Sequence, residues 1–207
     1  MAQQKKPSTT TINSIYKIIP ISILGVITAL FYYPSIYYPF QFDDAASITK
    51  YFHVRNSSLS QLMFKGSRWI SYWLNTIHYK IGKFNPVSYR TFNIFIHILC
   101  GVVIFFLLQN LLSNLKKESF FKANSLFIAF TTSMLFLLHP VQTQTISYII
   151  QGQLEGLATL FIATICLAVV KFVQVKDYFI KGLFLSAVFV IAIFSRKKNT
   201  LLWYRAN

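Results

Sequence analysis

The stretch that decides the fold is TFNIFIHILCGVVIFFLLQNLL, residues 91–112, which contains no Asp, Glu, Lys or Arg. A helix needs roughly 20 apolar residues to cross about 30 Å of hydrocarbon, because lipid offers no hydrogen-bond partner to an unpaired backbone amide. Residues 91–112 meet that requirement and are therefore predicted to form a membrane-spanning helix.

Other segments of the chain are apolar over a similar length. Residues 18–36, 124–140 and 154–170 each predict a span, and residues 178–195 predict a fifth if Lys181 extends its ammonium group to the headgroups. The whole chain is 55% hydrophobic and only 12% charged, whereas a soluble domain has about 25% charged residues. We therefore predict an all-α membrane protein with about five transmembrane helices.

The first loop, about residues 37–90, has a different pattern. In LSQLMFKGSRWISYWLNTIHYKIG, residues 59–82, apolar side chains recur at helical spacing and polar or charged ones fall between them. This pattern is typical of an amphipathic helical segment that lies on the membrane surface. The apolar positions are Leu59, Leu62, Met63, Trp69, Ile70, Trp73, Leu74 and Ile77.

The charge distribution predicts how the chain is oriented. The net charge is +15, and lysines cluster in the short segments 113–123 and 171–181, as in the cytoplasmic loops of membrane proteins. We expect residues 1–16 to be a disordered cytoplasmic tail and the 37–90 loop to lie on the other side. No basic stripe suited to nucleic acid is present. Seven basic residues in the outer loop instead indicate an anionic ligand at the membrane surface: Lys50, Arg55, Lys65, Arg68, Lys80, Lys83 and Arg90.

Several classes of chemistry have no motif in this sequence. It contains no Walker loop, no GxSxG and no zinc-ligand spacing, so no metal or cofactor is predicted. Cys100 and Cys166 fall inside predicted spans without a CxxC or His neighbour, and we interpret them as small packing residues.

The adjacent aspartates Asp43 and Asp44 follow the first predicted span in FQFDDAASI. A carboxylate there has a desolvation cost unless it has a partner or a function. Two interpretations remain open: a catalytic base that acts on an acceptor group, or a helix cap or solvated pair before AASITKYF. On an extended segment the two side chains point in opposite directions, so only one would need to face a site.

Other polar residues are candidates for substrate contacts. Arg68, beside Trp69, suits either a lipid phosphate or ordinary headgroup contact. His139-Pro140 ends the third predicted span, and the polar residues that follow, which include Gln142, Gln144 and Gln151, form a substrate-lining or a solvated turn. Asn93 and His97 stand four apart inside a span and are expected to hydrogen-bond other helices.

Taken in order, four of these stretches resemble the start of a known family. They are FQFDDAASI (40–48), GSRWISYWLN (66–75), FNPVSYRTFNIFIHIL (84–99) and LFLLHPVQTQTISYIIQGQLEGLATLF (135–161). The chain is similar over about residues 18–195 to the multi-span glycosyltransferases of the C superfamily, specifically the transmembrane O-mannosyltransferase type often followed by TPR repeats.

The resemblance implies transfer of a sugar from a polyprenyl-phosphate carrier to a protein or glycan hydroxyl on the non-cytoplasmic face of a bacterial inner membrane. The family's catalytic aspartate falls on Asp43 or Asp44, its arginine on Arg68, and its His-Pro turn on His139 and Pro140. This chemistry needs a carboxylate near the acceptor hydroxyl and cations near the leaving phosphate.

The sequence departs from the family at two places. Gly152 stands where relatives usually have an arginine, and FSRKKNTLLWYRAN replaces a Ser-Lys-Glu signature after the fifth predicted span. We therefore expect residues 17–195 to be a partial glycosyltransferase domain, 196–207 an atypical tail, and the chain alone to be inactive. The alternatives are a multi-span transporter or flippase and a non-catalytic membrane scaffold.

Overall fold

A computed structural model describes residues 9–62, 69–116 and 119–173, and the regular elements within these ranges are all helical. The prediction of an all-α chain is thereby confirmed for the described residues. The α-helices are α1 (Thr9–Tyr32), α2 (Phe52–Asn56), α3 (Leu59–Leu62), α4 (Trp69–Gly82), α5 (Pro86–Ser113), α6 (Phe120–Ala123), α7 (Ser125–Leu138), α8 (Gln142–Ser147), α9 (Ile149–Gln151) and α10 (Leu157–Val173). A 3₁₀ turn (Tyr33–Tyr37) follows α1, and π-helical turns occupy Ala45–Thr49 and Gly152–Gly156.

Three segments of the described chain are long and apolar enough to cross a membrane: Ile18–Tyr37, Pro86–Ser113 and Ile149–Phe172. They correspond to three of the predicted spans. The span predicted at 124–140 is shorter, because α7 has 14 residues, or about 21 Å at 1.5 Å per residue. Asn124, at φ −105° and ψ 18°, separates α7 from the short α6.

The described residues include part of the N-terminal segment and end at Val173. Helix α1 begins at Thr9, within the segment 1–16 that the sequence predicts to be a disordered tail. The predicted fifth span, 178–195, and the tail 196–207 lie outside the described residues.

Helix α5 is the centre of the bundle and packs against α1, α4, α7 and α10. Close approach to α7 requires Gly101, since a Cβ atom there would lie 2.5 Å from Cδ1 of Leu137. Cys100 is buried beside it, as expected of a packing residue, whereas Cys166 on α10 is exposed. One buried cluster joins α1, α5 and α7 through Leu24, Phe105, Ala129 and Leu137.

Helix α4 has its polar face turned toward the protein. Ser71, Asn75 and His78 are buried, while Ile70 and Ile81 on the same helix are exposed. The Ser71 hydroxyl donates to Oε1 of Gln153 over 3.0 Å and so joins α4 to the π turn before α10. Within the predicted amphipathic segment 59–82, the described residues are helical at Leu59–Leu62 and Trp69–Gly82, while its placement on a membrane surface stays a prediction.

Candidate functional site

The segment that carries the two aspartates is helical, which differs from the extended segment assumed from the sequence. Asp44 has φ −59° and ψ −41° and immediately precedes the π turn Ala45–Thr49. The two side chains nevertheless diverge: Asp43 is exposed and Asp44 is only 1% exposed. Phe42, just before them, has φ 47°, a left-handed conformation that is uncommon for a bulky residue and often marks a functional site.

Asp44 caps a helix that lies far away in sequence. Its carboxylate accepts hydrogen bonds from the backbone N–H groups of Ile149 (3.2 Å) and Ile150 (3.0 Å). These groups begin the span 149–172, and an anionic acceptor stabilises such a helix end. Asp44 makes no side-chain cap to its own helical turn, so the helix-cap interpretation holds for a different helix from the one predicted.

The protonation equilibrium of Asp44 reflects opposing influences. Burial raises its pKa above the ordinary value of 3.8, while the hydrogen bonds from Ile150 and Ile149 and the charge of Arg90 act in the opposite direction. The net direction is upward, since the loss of hydration outweighs the hydrogen bonds.

Arg90 ties the first loop to the segment that precedes α9. Its Nε donates to the carbonyl of Tyr38 over 3.0 Å, Nη2 to that of Pro39 over 2.6 Å, and Nη1 to that of Ser147. The side chain is 1% exposed. The sequence-based expectation that Arg90 serves an anionic ligand is therefore wrong, because three backbone carbonyls already hold its guanidinium group.

Asn93 and Gly152 complete the support of this segment. The Asn93 amide donates to the carbonyls of Tyr148 (3.3 Å) and Ile149 (3.2 Å), and His97 bonds the carbonyl of Leu137 over 2.9 Å. The expected contacts of Asn93 and His97 with other segments are thus confirmed. A Cβ atom at position 152 would lie 2.1 Å from Nδ2 of Asn93, so this backbone has no room for the arginine usual in the resembled family.

A cleft of about 330 Å³ lies between the first loop and the segment 144–151. The exposed carboxylate of Asp43 is at the cleft, and Oε1 of Gln151 is buried there without a hydrogen-bond partner among the described residues. The rings of Phe42 and Tyr148 meet edge to face with centroids 5.4 Å apart. The residues that line the cleft are Gln41, Phe42, Asp43, Asp44, Gln144, Tyr148, Ile150 and Gln151.

This lining favours one type of ligand group. Two carboxylates, three amides and two aromatic rings line the cleft, and no lysine or arginine is among these residues. Carboxylate and amide oxygens accept hydrogen bonds from hydroxyl or amine groups, and the carboxylates repel a phosphate. The cleft therefore suits a neutral or cationic hydrogen-bond donor.

The structure brings together three of the residues predicted for the site: Asp43, Asp44 and Gln144. His139 and Gln142 do not line the cleft: His139 is exposed at the end of α7, where its Nδ1 accepts the N–H of Val141 over 3.2 Å, and Gln142 begins α8. Arg68 lies outside the described residues.

Two aromatic residues of the cleft were missed from the sequence. Phe42 and Tyr148 stand in stretches where aromatic residues are expected at a membrane interface, so no local signal distinguished them. Gln151 was recognisable, because it ends the polar stretch that follows His139.

No family model, curated protein or solved structure matches the chain. Within the described ranges, no group of three or more His, Cys, Asp and Glu side chains is arranged to hold a metal ion.

Proposed function

We propose that the protein is a membrane glycosyltransferase, or a portion of one, that transfers a sugar from a polyprenyl-phosphate carrier to a protein or glycan hydroxyl. The observation that supports this proposal is the exposed Asp43 carboxylate in a cleft with aromatic and amide neighbours. The family resemblance of the FQFDDAASI stretch points to the same pair of aspartates.

Asp43 is the base in this proposal, and Asp44 is a positioning residue. Asp43 would take the proton of the acceptor hydroxyl while the hydroxyl oxygen forms a bond to the anomeric carbon. The bond from that carbon to the carrier's phosphate oxygen breaks, and the phosphate leaves with the electron pair. Both oxygens of Asp44 already accept backbone N–H groups, which makes Asp44 the poorer base.

The leaving phosphate needs cations that the cleft lining does not provide. Arg68 is our candidate, because a guanidinium group can donate two parallel hydrogen bonds to a phosphate. In this proposal the carboxylates act on the acceptor hydroxyl and Arg68 acts on the leaving phosphate.

The proposal also includes the arrangement of the chain in the membrane. We propose five spans with the fifth at 178–195, the 59–82 segment at the membrane interface, and the N-terminus in the cytoplasm of a bacterium. Cysteine labelling from outside should then reach positions near 55 and 145 but not position 117. Labelling of position 117 from outside would refute this topology.

The test of the function is genetic and biochemical. The test uses the complete transferase: membranes from cells that lack its gene should lose transfer of labelled sugar from the polyprenyl-phosphate donor to a hydroxyl-bearing peptide, and the complete wild-type gene should restore it. Asp43→Asn should reduce the restored rate by about 10²–10⁴, the usual loss for a general base. Asp43→Glu is the matched control and should retain part of the rate, because it keeps a carboxylate in the cleft.

Two results would contradict the proposal. If membranes without the gene transfer sugar at the wild-type rate, the protein is not the transferase. If Asp43→Asn restores the full rate, Asp43 is not the base, and if Asp44→Asn also restores it, the pair is dispensable, as a non-catalytic scaffold predicts.

A transporter or flippase is the second candidate, and one observation favours it. Both amide atoms of Asn75 and both ring nitrogens of His78 are buried without a hydrogen-bond partner among the described residues. Buried polar atoms of this kind are costly unless water or a polar solute reaches them. Asn75→Leu with His78→Phe should abolish uptake or lipid movement if this face lines a passage, while Asp43→Asn should leave it unchanged.

A further inference from the structure

Arg55 of α2 and three side chains at the junction of α4 and α5 form a continuous group, which we call the basic–aromatic cluster: Arg55, Tyr79, Lys83 and Phe84. The guanidinium carbon of Arg55 lies 5.1 Å from the centroid of the Phe84 ring, and Nζ of Lys83 lies 5.0 Å from that of Tyr79. The two rings are themselves 5.0 Å apart. Both cations therefore rest on one aromatic platform.

The backbone fixes the place of the cluster at the end of a membrane span. Lys83 directly follows α4, has φ 55° and donates its N–H to the carbonyl of Tyr79 over 2.8 Å. The chain then turns, and Asn85 caps α5, which begins at Pro86. Phe84 stands two residues before Pro86, where the span Pro86–Ser113 begins. At 1.5 Å per residue this is about 3 Å along the helix axis, which corresponds to the headgroup layer.

The cluster exposes the groups that a charged lipid surface binds. Arg55 and Lys83 are exposed, Phe84 is 37% exposed, and Ile81 beside them is 72% exposed. Arg55 donates to the carbonyl of Thr49, and a guanidinium group has five N–H donors in all. No acidic residue occurs in the sequence between Ala45 and Lys117, so no carboxylate of that stretch competes for the cations.

We propose that the basic–aromatic cluster binds the phosphate groups of anionic phospholipids in the adjacent leaflet, with Ile81 and Phe84 in contact with the upper acyl region. The occupant is an ordinary headgroup and not the sugar carrier, because the cluster is an exposed surface and not a closed pocket. This proposal does not depend on glycosyl transfer.

The experiment measures lipid selectivity of the full chain in nanodiscs that contain phosphatidylglycerol and phosphatidylcholine. Spin-labelled lipids report the relative association constant of the anionic lipid over the zwitterionic one. Arg55→Gln with Lys83→Gln should lower that ratio by about 5-fold for each cation, which is about 1 kcal/mol each. The selectivity of the wild type should also fall as salt rises, because the Debye length shrinks to about 8 Å at physiological ionic strength.

A matched control removes two cations elsewhere. Lys116→Gln with Lys122→Gln makes the same change in net charge beyond the other end of α5 and should leave this selectivity unchanged at the leaflet of the cluster. Leaflet-specific labelling distinguishes the two sides. The charge-conserving pair Arg55→Lys with Lys83→Arg should keep most of the wild-type ratio and the wild-type helicity.

Three results would overturn the proposal: an unchanged ratio in Arg55→Gln with Lys83→Gln, an equal loss in the control pair, or selectivity for polyprenyl phosphate alone. If the double variant fails to insert, Lys83→Gln alone decides, because Lys83 is an exposed side chain after the helix end. An unchanged ratio in that variant would overturn the proposal as well.

Discussion

Replacement of Asp44 by alanine should destabilise the folded bundle far more than replacement of its neighbour Asp43. The Asp44 carboxylate accepts two buried backbone N–H groups at 3.2 and 3.0 Å. A hydrogen bond to a charged group contributes about 1.5–3 kcal/mol, and each buried donor left alone costs about 1–3 kcal/mol. Asp44→Ala also removes the cost of burying a charged carboxylate, which is the effect that raises the pKa of Asp44. This gain offsets part of the loss. We therefore expect a net loss of about 2–4 kcal/mol for Asp44→Ala, against less than about 0.5 kcal/mol for the exposed Asp43→Ala.

The assay is reversible unfolding in mixed micelles, followed by far-ultraviolet circular dichroism. Asp44→Asn should fall between the wild type and Asp44→Ala, because an amide oxygen can accept one of the two N–H groups but its NH₂ faces the other. Equal destabilisation by Asp43→Ala and Asp44→Ala would refute the assignment of Asp44 as the cap of the span at 149–172. A loss below about 0.5 kcal/mol for Asp44→Ala would do the same.

The remaining predictions concern the same segment, and each is checked by thermal or denaturant unfolding. Gly152→Ala should lower the free energy of unfolding by about 1–3 kcal/mol, because the added Cβ atom would lie 2.1 Å from Nδ2 of Asn93. Asn93→Ala in the same chain should recover part of this loss. If the losses of the two single variants simply add in the double variant, the clash is not the cause. Arg90→Lys should cost about 2 kcal/mol, because an ammonium group cannot reach three separated carbonyls as the guanidinium does, and wild-type stability in this variant would contradict that role. Burial raises the pKa of Asp44 above 3.8, so the stability contributed by this carboxyl is complete below about pH 3.8 and declines as pH rises through its folded pKa. Asp44→Asn should remove the decline that begins above about pH 3.8, and an unchanged slope would show that another group causes it.

The helical spans were predictable because the constraint that produces them is local. A backbone in hydrocarbon must satisfy its own hydrogen bonds, so a long uncharged stretch such as 91–112 has one structural solution. The same reasoning overestimated the length of the helix at 124–140, because hydropathy does not detect the break at Asn124. Helix α7, which follows this break, has 14 residues. Helix ends depend on capping and packing, which a hydropathy window does not contain.

The candidate site was predictable only in part. The position of two carboxylates directly after a span identified Asp43 and Asp44 as unusual, and the polar stretch after His139 identified Gln144. Neither pattern indicates which aspartate is exposed, because that depends on a helical backbone preceded by a left-handed Phe42.

The sequence by itself determined that the described residues form helices, that three segments are long and apolar enough to cross a membrane, and that a carboxylate pair follows the first of them. Only the tertiary structure decided that Asp44 caps a helix 105 residues away and that Arg90 reaches carbonyls on both sides of the cleft. Periodicity and hydropathy are properties of a few turns of helix, and they predict whether such a segment contacts lipid, water or the protein interior. The partners of a buried charge come from distant segments, and which of them lie within hydrogen-bond distance depends on how the helices pack around α5.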